Sequence, residues 1–324
     1  MTARPRVVVT RKLPAPVEAA LTERFDARLN PEDRPLDAAG LREALQGADA
    51  LLPTVTDRLT AEVLAAEPLR AKILANFGVG FNNIDIAAAK ARGLVVTNTP
   101  DVLTDDTADI AMTLLLMVAR RAGEGERQVR AGAWTGWRPT HMLGTKVNGK
   151  TLGLVGMGRI AKGVARRAHH GFGMRVIFHD PYPPSAADAA ALGAEPRTSV
   201  EEVLAEADFV SLHCPATPET RHLINAERLR LMKPGAFLVN TARGDVVDEA
   251  ALVAALQGGR LAGAGLDVYE REPAIPPGLI AMENVVLFPH LGSATVETRI
   301  ALGMRALENL QAFFSGAQPR DRVV

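Results

Sequence analysis

Cysteine is almost absent from this chain. Cys214 is the only one, which excludes an intrachain disulfide and fits a reducing compartment. Aromatic residues are scarce at 4%, and both tryptophans lie close together, at Trp134 and Trp137. The chain has no net charge: Lys+Arg 37 balance Asp+Glu 37 and no basic run occurs, so there is no electrostatic case for nucleic acid or an anionic membrane as partner. Long apolar runs are missing too. The longest uncharged apolar stretch near the middle, 110–119, is about half of a membrane span and reads as a buried helix. The apolar run in MTARPRVVVTRKL is too short for a signal peptide, so a cytoplasmic protein is expected. Apolar residues overall are plentiful, 47% of 324, enough for sizeable cores and a natural expectation of two domains.

The most informative segment is 151–180, TLGLVGMGRIAKGVARRAHHGFGMRVIFHD. A short apolar strand with Leu152, Leu154 and Val155 runs into Gly156-Met157-Gly158-Arg159-Ile160-Ala161. A helical stretch and a second strand, 174–178, follow, and Asp180 stands nineteen residues beyond Ala161. Strand, glycine turn, helix, strand and acid in this register form the dinucleotide-binding fingerprint. Gly156 permits the tight turn, Gly158 lets backbone approach a pyrophosphate, and Ala161 lets the helix pack on the strand. The free N–H groups at the helix start then face the phosphates. Asp180 also bears on which cofactor binds: a carboxylate there accepts from ribose hydroxyls and repels a 2′-phosphate, and 179–183 contains no arginine. NAD is the expected cofactor. A surface aspartate opening a Pro-rich turn is the plainer alternative.

Over the first hundred residues, strand signals at 6–10, 50–52, 73–75 and 94–97 alternate with helical stretches at 16–25, 37–46, 60–66 and 83–91. This predicts a small parallel α/β unit. Residues 101–121 predict one long helix, and 122–148, with several glycines and both tryptophans, reads as an arm or connection. Strands at 207–213, 236–240, 262–266 and 284–287 bring the nucleotide sheet to six. The helical stretch 294–315 is left over and is expected to return to the first domain. The nucleotide domain, 99–289, is then an insertion in a substrate domain of 1–98 plus 290–324.

In an open parallel sheet, ligand-binding groups come from loops at the carboxyl ends of strands. Three charged side chains stand there: Arg243 after strand 236–240, Glu272 just beyond strand 262–266, and His290 after strand 284–287. Together they suit carbonyl reduction. Histidine donates the proton near neutral pH. A carboxylate behind the imidazole fixes its tautomer. A guanidinium grips a substrate carboxylate and polarises the adjacent carbonyl, so the substrate is a 2-keto acid reduced to a 2-hydroxy acid. Singly, each has a structural reading: a lone histidine after a strand is more often a satisfied structural group, and Arg243 or Glu272 alone could sit on the surface. Cys214 beside His213 makes an awkward nucleophile pair and reads better as lining an adenine pocket.

GLVGMGRIA at 153–161, LVNTARGDVVDEAAL at 238–252, AGLDVYEREP at 264–273 and FPHLGSAT at 288–295 together resemble the D-isomer-specific 2-hydroxyacid dehydrogenase family. The resemblance implies an α/β fold of two parallel-sheet domains, a Rossmann domain inserted into a flavodoxin-like one. It implies Arg243, Glu272 and His290 as the catalytic trio. Beside Gly156 and Gly158 of the fingerprint, the implied cofactor contacts are Thr107, Arg159, Ile160, Asp180, Cys214, Thr220, Thr241, Ala242 and Asp267, with Asp267 on the nicotinamide carboxamide. The segment 76–85, NFGVGFNNID, is similar to the family loop whose amides hold the substrate carboxylate, placed at Val79 and Gly80; Asn82 stands where the family usually has Asp. A homodimer is implied as well. Within the family the arm WTGWRP, 134–139, looks like that of glyoxylate and hydroxypyruvate reductases, where a tryptophan borders the partner's active site; simple packing in a dimer interface is the alternative. Phosphoglycerate or D-lactate dehydrogenases, and NAD-binding co-repressors of the same fold, are the other functions the resemblance leaves in view. Formate dehydrogenases carry Gln where this chain has Glu272.

Overall fold

Short runs of Val, Ile, Leu and Ala, each closed by a polar or glycine-bearing turn, make strands that are buried along most of their length. That is the composition of parallel sheets covered by helices on both faces. The computed structural model describes residues 4–324, which divide into two units, one reaching to Leu103 and resuming over Ala294–Val324, the other Thr104–Ser293.

The first unit has strands β1 (Arg6–Val9), β2 (Asp26–Arg28), β3 (Ala50–Leu52), β4 (Ile73–Ala75) and β5 (Val95–Thr97). All are parallel, in the order β2-β1-β3-β4-β5, the flavodoxin-like arrangement. Val7 and Val9 face a core shared with helix Ala15–Arg24 and helix Val296–Phe314, and Val8 faces another shared with Ala38–Gly47. The sheet has five strands rather than the four expected from sequence. Asp26–Arg28 has no buried residue and so no apolar signal, and is recruited by pairing with β1.

The second unit has β6 (Thr151–Val155), β7 (Arg175–His179), β8 (Ala194–Pro196), β9 (Phe209–Leu212), β10 (Ala236–Asn240), β11 (Leu261–Leu266) and β12 (Val285–Leu287). Their order, β12-β11-β10-β9-β6-β7-β8, is that of the dinucleotide-binding sheet with one added strand. The direction of winding reverses between β6 and β9, and the crevice at the carboxyl ends of such a pair is where ligands bind. Helices Thr104–Ala119 and Arg159–Arg166 cover one face; Val200–Glu206, Ala226–Leu231 and Glu249–Gln257 cover the other. Two expectations are corrected. The sheet has seven strands, not six, because the edge strand Ala194–Pro196 buries only Ala194. The stretch expected to be an arm begins with a helix, Ala122–Arg130, which buries none of its residues and contains two glycines, so it carries no core-facing stripe to read. Among the described residues, no helix is long and apolar enough to cross a membrane.

Candidate active site

Arg243, Glu272 and His290 follow β10, β11 and β12 in turn, at the carboxyl edge of the second unit's sheet. At β6 the chain turns on Gly156, whose φ is +91°; a Cβ there would lie 2.8 Å from the Cys214 amide nitrogen and 2.9 Å from the His213 carbonyl carbon. The turn after β6 therefore passes directly over the end of β9, which only glycine permits. Gly158 caps helix Arg159–Arg166 and differs in kind. Its φ is −71° and a Cβ would meet nothing within 4 Å, so contacts within the protein give no reason for glycine there. The helix start has no side-chain cap and no acidic residue in its first turn, which leaves its N–H groups and dipole available to an anion. Arg159 and Gly158 are exposed and Ile160 half-buried at that end.

Asp180, after β7, is held by this turn: one carboxylate oxygen accepts from the Met157 N–H at 2.6 Å and the other from the Tyr182 N–H at 2.7 Å. Cys214 follows β9, and burial pushes its thiol up to about 11, so it is protonated and unreactive at neutral pH. His213 bonds Ser211 at 2.9 Å, and burial drives it down to about 4, leaving it neutral. Thr220 closes the loop after Cys214, its hydroxyl donating to the Pro215 carbonyl at 2.6 Å. Thr241, at the end of β10, has a buried hydroxyl with no hydrogen-bond partner. An uncapped helix start, a glycine without an internal steric reason and an orphaned buried hydroxyl on one sheet edge fit a bound dinucleotide.

The other end of the edge carries the titratable groups. His290 sits after β12 with φ +58°, an uncommon conformation for a non-glycine residue. Asp267 enforces it. Its carbonyl accepts from the His290 N–H at 3.0 Å, and its carboxylate oxygens accept from the Leu291 and Gly292 N–H groups at 2.6 and 2.8 Å. Three successive amides thus hang from one residue that is 1% exposed. Thr107 braces the loop from behind, donating to the Gly292 carbonyl at 2.7 Å. Neither arrangement was visible in the sequence, where both residues were expected only as cofactor contacts.

The His290 Nδ1–H donates to Glu272 Oε2 at 2.9 Å, and Glu272 Oε1 accepts from the Tyr269 N–H at 3.1 Å. Burial pushes the Glu272 carboxyl up, but the hydrogen bond and charge of His290, with smaller help from Tyr269 and Arg243, outweigh it and leave it lowered. A carboxylate only accepts, so Nδ1 carries the hydrogen and Nε2 is left as the exchanging atom. Burial lowers the Arg243 guanidinium, opposed by the charges of Glu272 and Asp245, and it stays cationic. Arg243 donates to the Ala242 carbonyl at 2.7 Å, while the Ala242 N–H donates to Asn240 at 3.0 Å. Gly244 brings this loop to Glu272: a Cβ there would fall 1.8 Å from the Tyr269 carbonyl carbon. The structure thus joins Arg243, Glu272, His290 and Asp267 in one cluster. Val79 and Gly80 belong to the first unit, in the loop after β4.

The sequence profile described as "D-isomer specific 2-hydroxyacid dehydrogenase, NAD binding domain" matches residues 112–292. A glyoxylate reductase of Thermococcus kodakarensis is 48% identical over 98% of this chain and 95% of its own length. A glyoxylate reductase of Korarchaeum cryptofilum is 48% identical over 99% and 96%. The solved structure of an NADPH-dependent glyoxylate/hydroxypyruvate reductase from Sinorhizobium meliloti, in complex with NADP and malonate, superposes with a TM-score of 0.89 at 37% identity, covering 99% of this chain and 97% of that one. The fold and these matches define a nicotinamide-dependent oxidoreductase acting on CH–OH groups. The chain belongs to the D-isomer-specific 2-hydroxyacid dehydrogenase family.

Proposed function

We propose that this protein reduces small 2-keto acids of the glyoxylate and hydroxypyruvate type to D-2-hydroxy acids, with NADH preferred over NADPH. The observation that carries the reading is the 2.9 Å bond between His290 Nδ1 and Glu272, beside a half-buried, cationic Arg243. The nicotinamide, when bound, supplies hydride to the carbonyl carbon. His290 gives the proton from Nε2 to the carbonyl oxygen, and Glu272 stabilises the charged imidazolium before the transfer. Arg243 binds the carboxylate and polarises the carbonyl in the same plane. Val79 and Gly80 are assigned, through the family resemblance, as backbone donors to that carboxylate. Gly156, Gly158, Arg159, Ile160, Asp180, Cys214, Thr220, Thr241, Ala242, Asp267 and Thr107 are assigned to the cofactor, the last three together with their structural contacts described above.

The preference for NADH rests on Asp180, whose carboxylate is fixed at the end of β7 where a 2′-phosphate would meet its charge. A cytoplasmic homodimer completes the reading. Its support is the exposed apolar surface around the helix Ala122–Arg130, with Val129 60%, Trp134 53%, Trp137 81% and Leu143 66% exposed. The test is oxidation of NADH, and then of NADPH, with glyoxylate, hydroxypyruvate, pyruvate and phenylpyruvate. Turnover of the first two with NADH is expected; NADH binding without turnover of any keto acid would overturn the reading and favour a sensor.

A further inference from the structure

The loop after β4 presents its peptide planes in a fixed way. The Gly78 carbonyl accepts from the Asn76 side-chain amide at 3.3 Å and the Thr99 N–H at 3.1 Å. The Val79 carbonyl accepts from the Asn98 side-chain amide at 2.9 Å, and the Gly80 carbonyl from that of Asn76 at 3.0 Å. Among the described residues, the N–H groups of Val79 and Gly80 have no partner. In a planar trans peptide the N–H points opposite to the C=O of the preceding residue. Holding the Val79 carbonyl therefore aims the Gly80 N–H, and holding the Gly78 carbonyl aims the Val79 N–H.

Asn98 is itself fixed from behind. Its carbonyl accepts from the Asn309 side chain at 3.3 Å, and its N–H donates to the Asp321 carbonyl at 3.2 Å. The Asp321 carboxylate accepts from Asn309 at 3.0 Å and takes two bonds from Arg305, at 2.5 and 2.9 Å. Asn309 and Asp321 are 2% and 8% exposed, so little water competes for these bonds.

We propose that Asn98, braced by Asn309 and Asp321, is a positioning residue for the substrate carboxylate, because it turns the Gly80 amide outward before substrate arrives. This rests on the assignment of the Val79 and Gly80 amides to that carboxylate. A pre-aimed donor needs no reordering on binding, so its loss shows in substrate affinity rather than in the chemical step.

The test is steady-state kinetics of the full-length protein and of Asn98→Asp, which keeps the size but loses the donor. Glyoxylate and its methyl ester serve as substrates, with NADH binding and thermal unfolding measured in parallel. For Asn98→Asp the KM for glyoxylate should rise about tenfold, with kcat within about twofold and NADH affinity unchanged. The preference for the acid over the ester should fall by a similar factor. Should Asn98→Asp not fold, Asn309→Ala decides, with a rise in KM of about threefold. A folded variant with unchanged KM and unchanged preference overturns the proposal. A wild-type protein that reduces acid and ester equally well would instead remove the amide assignment on which it stands.

Discussion

The turn after β6 and the loop after β12 leave the same edge of one sheet and are built by opposite means. The glycine turn works by subtraction: Gly156 clears room against Cys214, and the helix start carries neither cap nor acid. The histidine loop works by over-determination: Asp267 holds three successive amides, Thr107 holds a fourth group, and His290 is kept at φ +58°. The difference follows from the tasks we propose for the two loops. Phosphates are recognised by exposed backbone, whereas proton transfer needs one nitrogen of one ring held to a fraction of an ångström.

The two loops should separate most visibly at His290. His290→Ala should lower kcat by about 10²–10⁴ with NADH affinity intact, measured by turnover and fluorescence titration; unchanged turnover would remove it as proton donor. Gly156→Ala should do the reverse. Its Cβ, 2.8 Å from the Cys214 nitrogen, forces the turn off β9, and NADH affinity should fall about 10–100-fold while the proton-transfer cluster stays assembled.

These two residues also mark what sequence reading could reach. Gly156, Gly158 and Asp180 were legible because the fingerprint puts local spacing and chemistry in one segment. Arg243, Glu272 and His290 were legible because each follows a strand of plain apolar composition. What held them was not. Asp267 acts on backbone amides, which every residue has, and Gly244 is required only once the Tyr269–Glu270 peptide is seen against it. The strands at Asp26–Arg28 and Ala194–Pro196 and the helix Ala122–Arg130 bury one residue among them, so no periodicity announced them.

Smaller effects sharpen the contrast. Asp180→Ala should narrow the NADH-over-NADPH ratio of kcat/KM by about tenfold; the same ratio in both proteins would take Asp180 out of cofactor choice. The smallest effect is on stability. Because the folded Glu272 carboxyl lies below its ordinary value of 4.5, the pair's stabilisation is present above that value and is lost as pH falls through the folded one. Side chains about a third exposed limit it to under about 1 kcal/mol. Denaturant unfolding of wild type and Glu272→Gln from about pH 6 to 3 should show their gap closing with acid; a gap that widened would contradict the sign.

We propose that His290 and Glu272 act as one proton-transfer unit. Single-turnover NADH oxidation with glyoxylate, measured for His290→Ala, Glu272→Gln and the double variant, tests it most directly. The double variant should be no slower than His290→Ala alone. Independent effects that multiply in the double variant would contradict it.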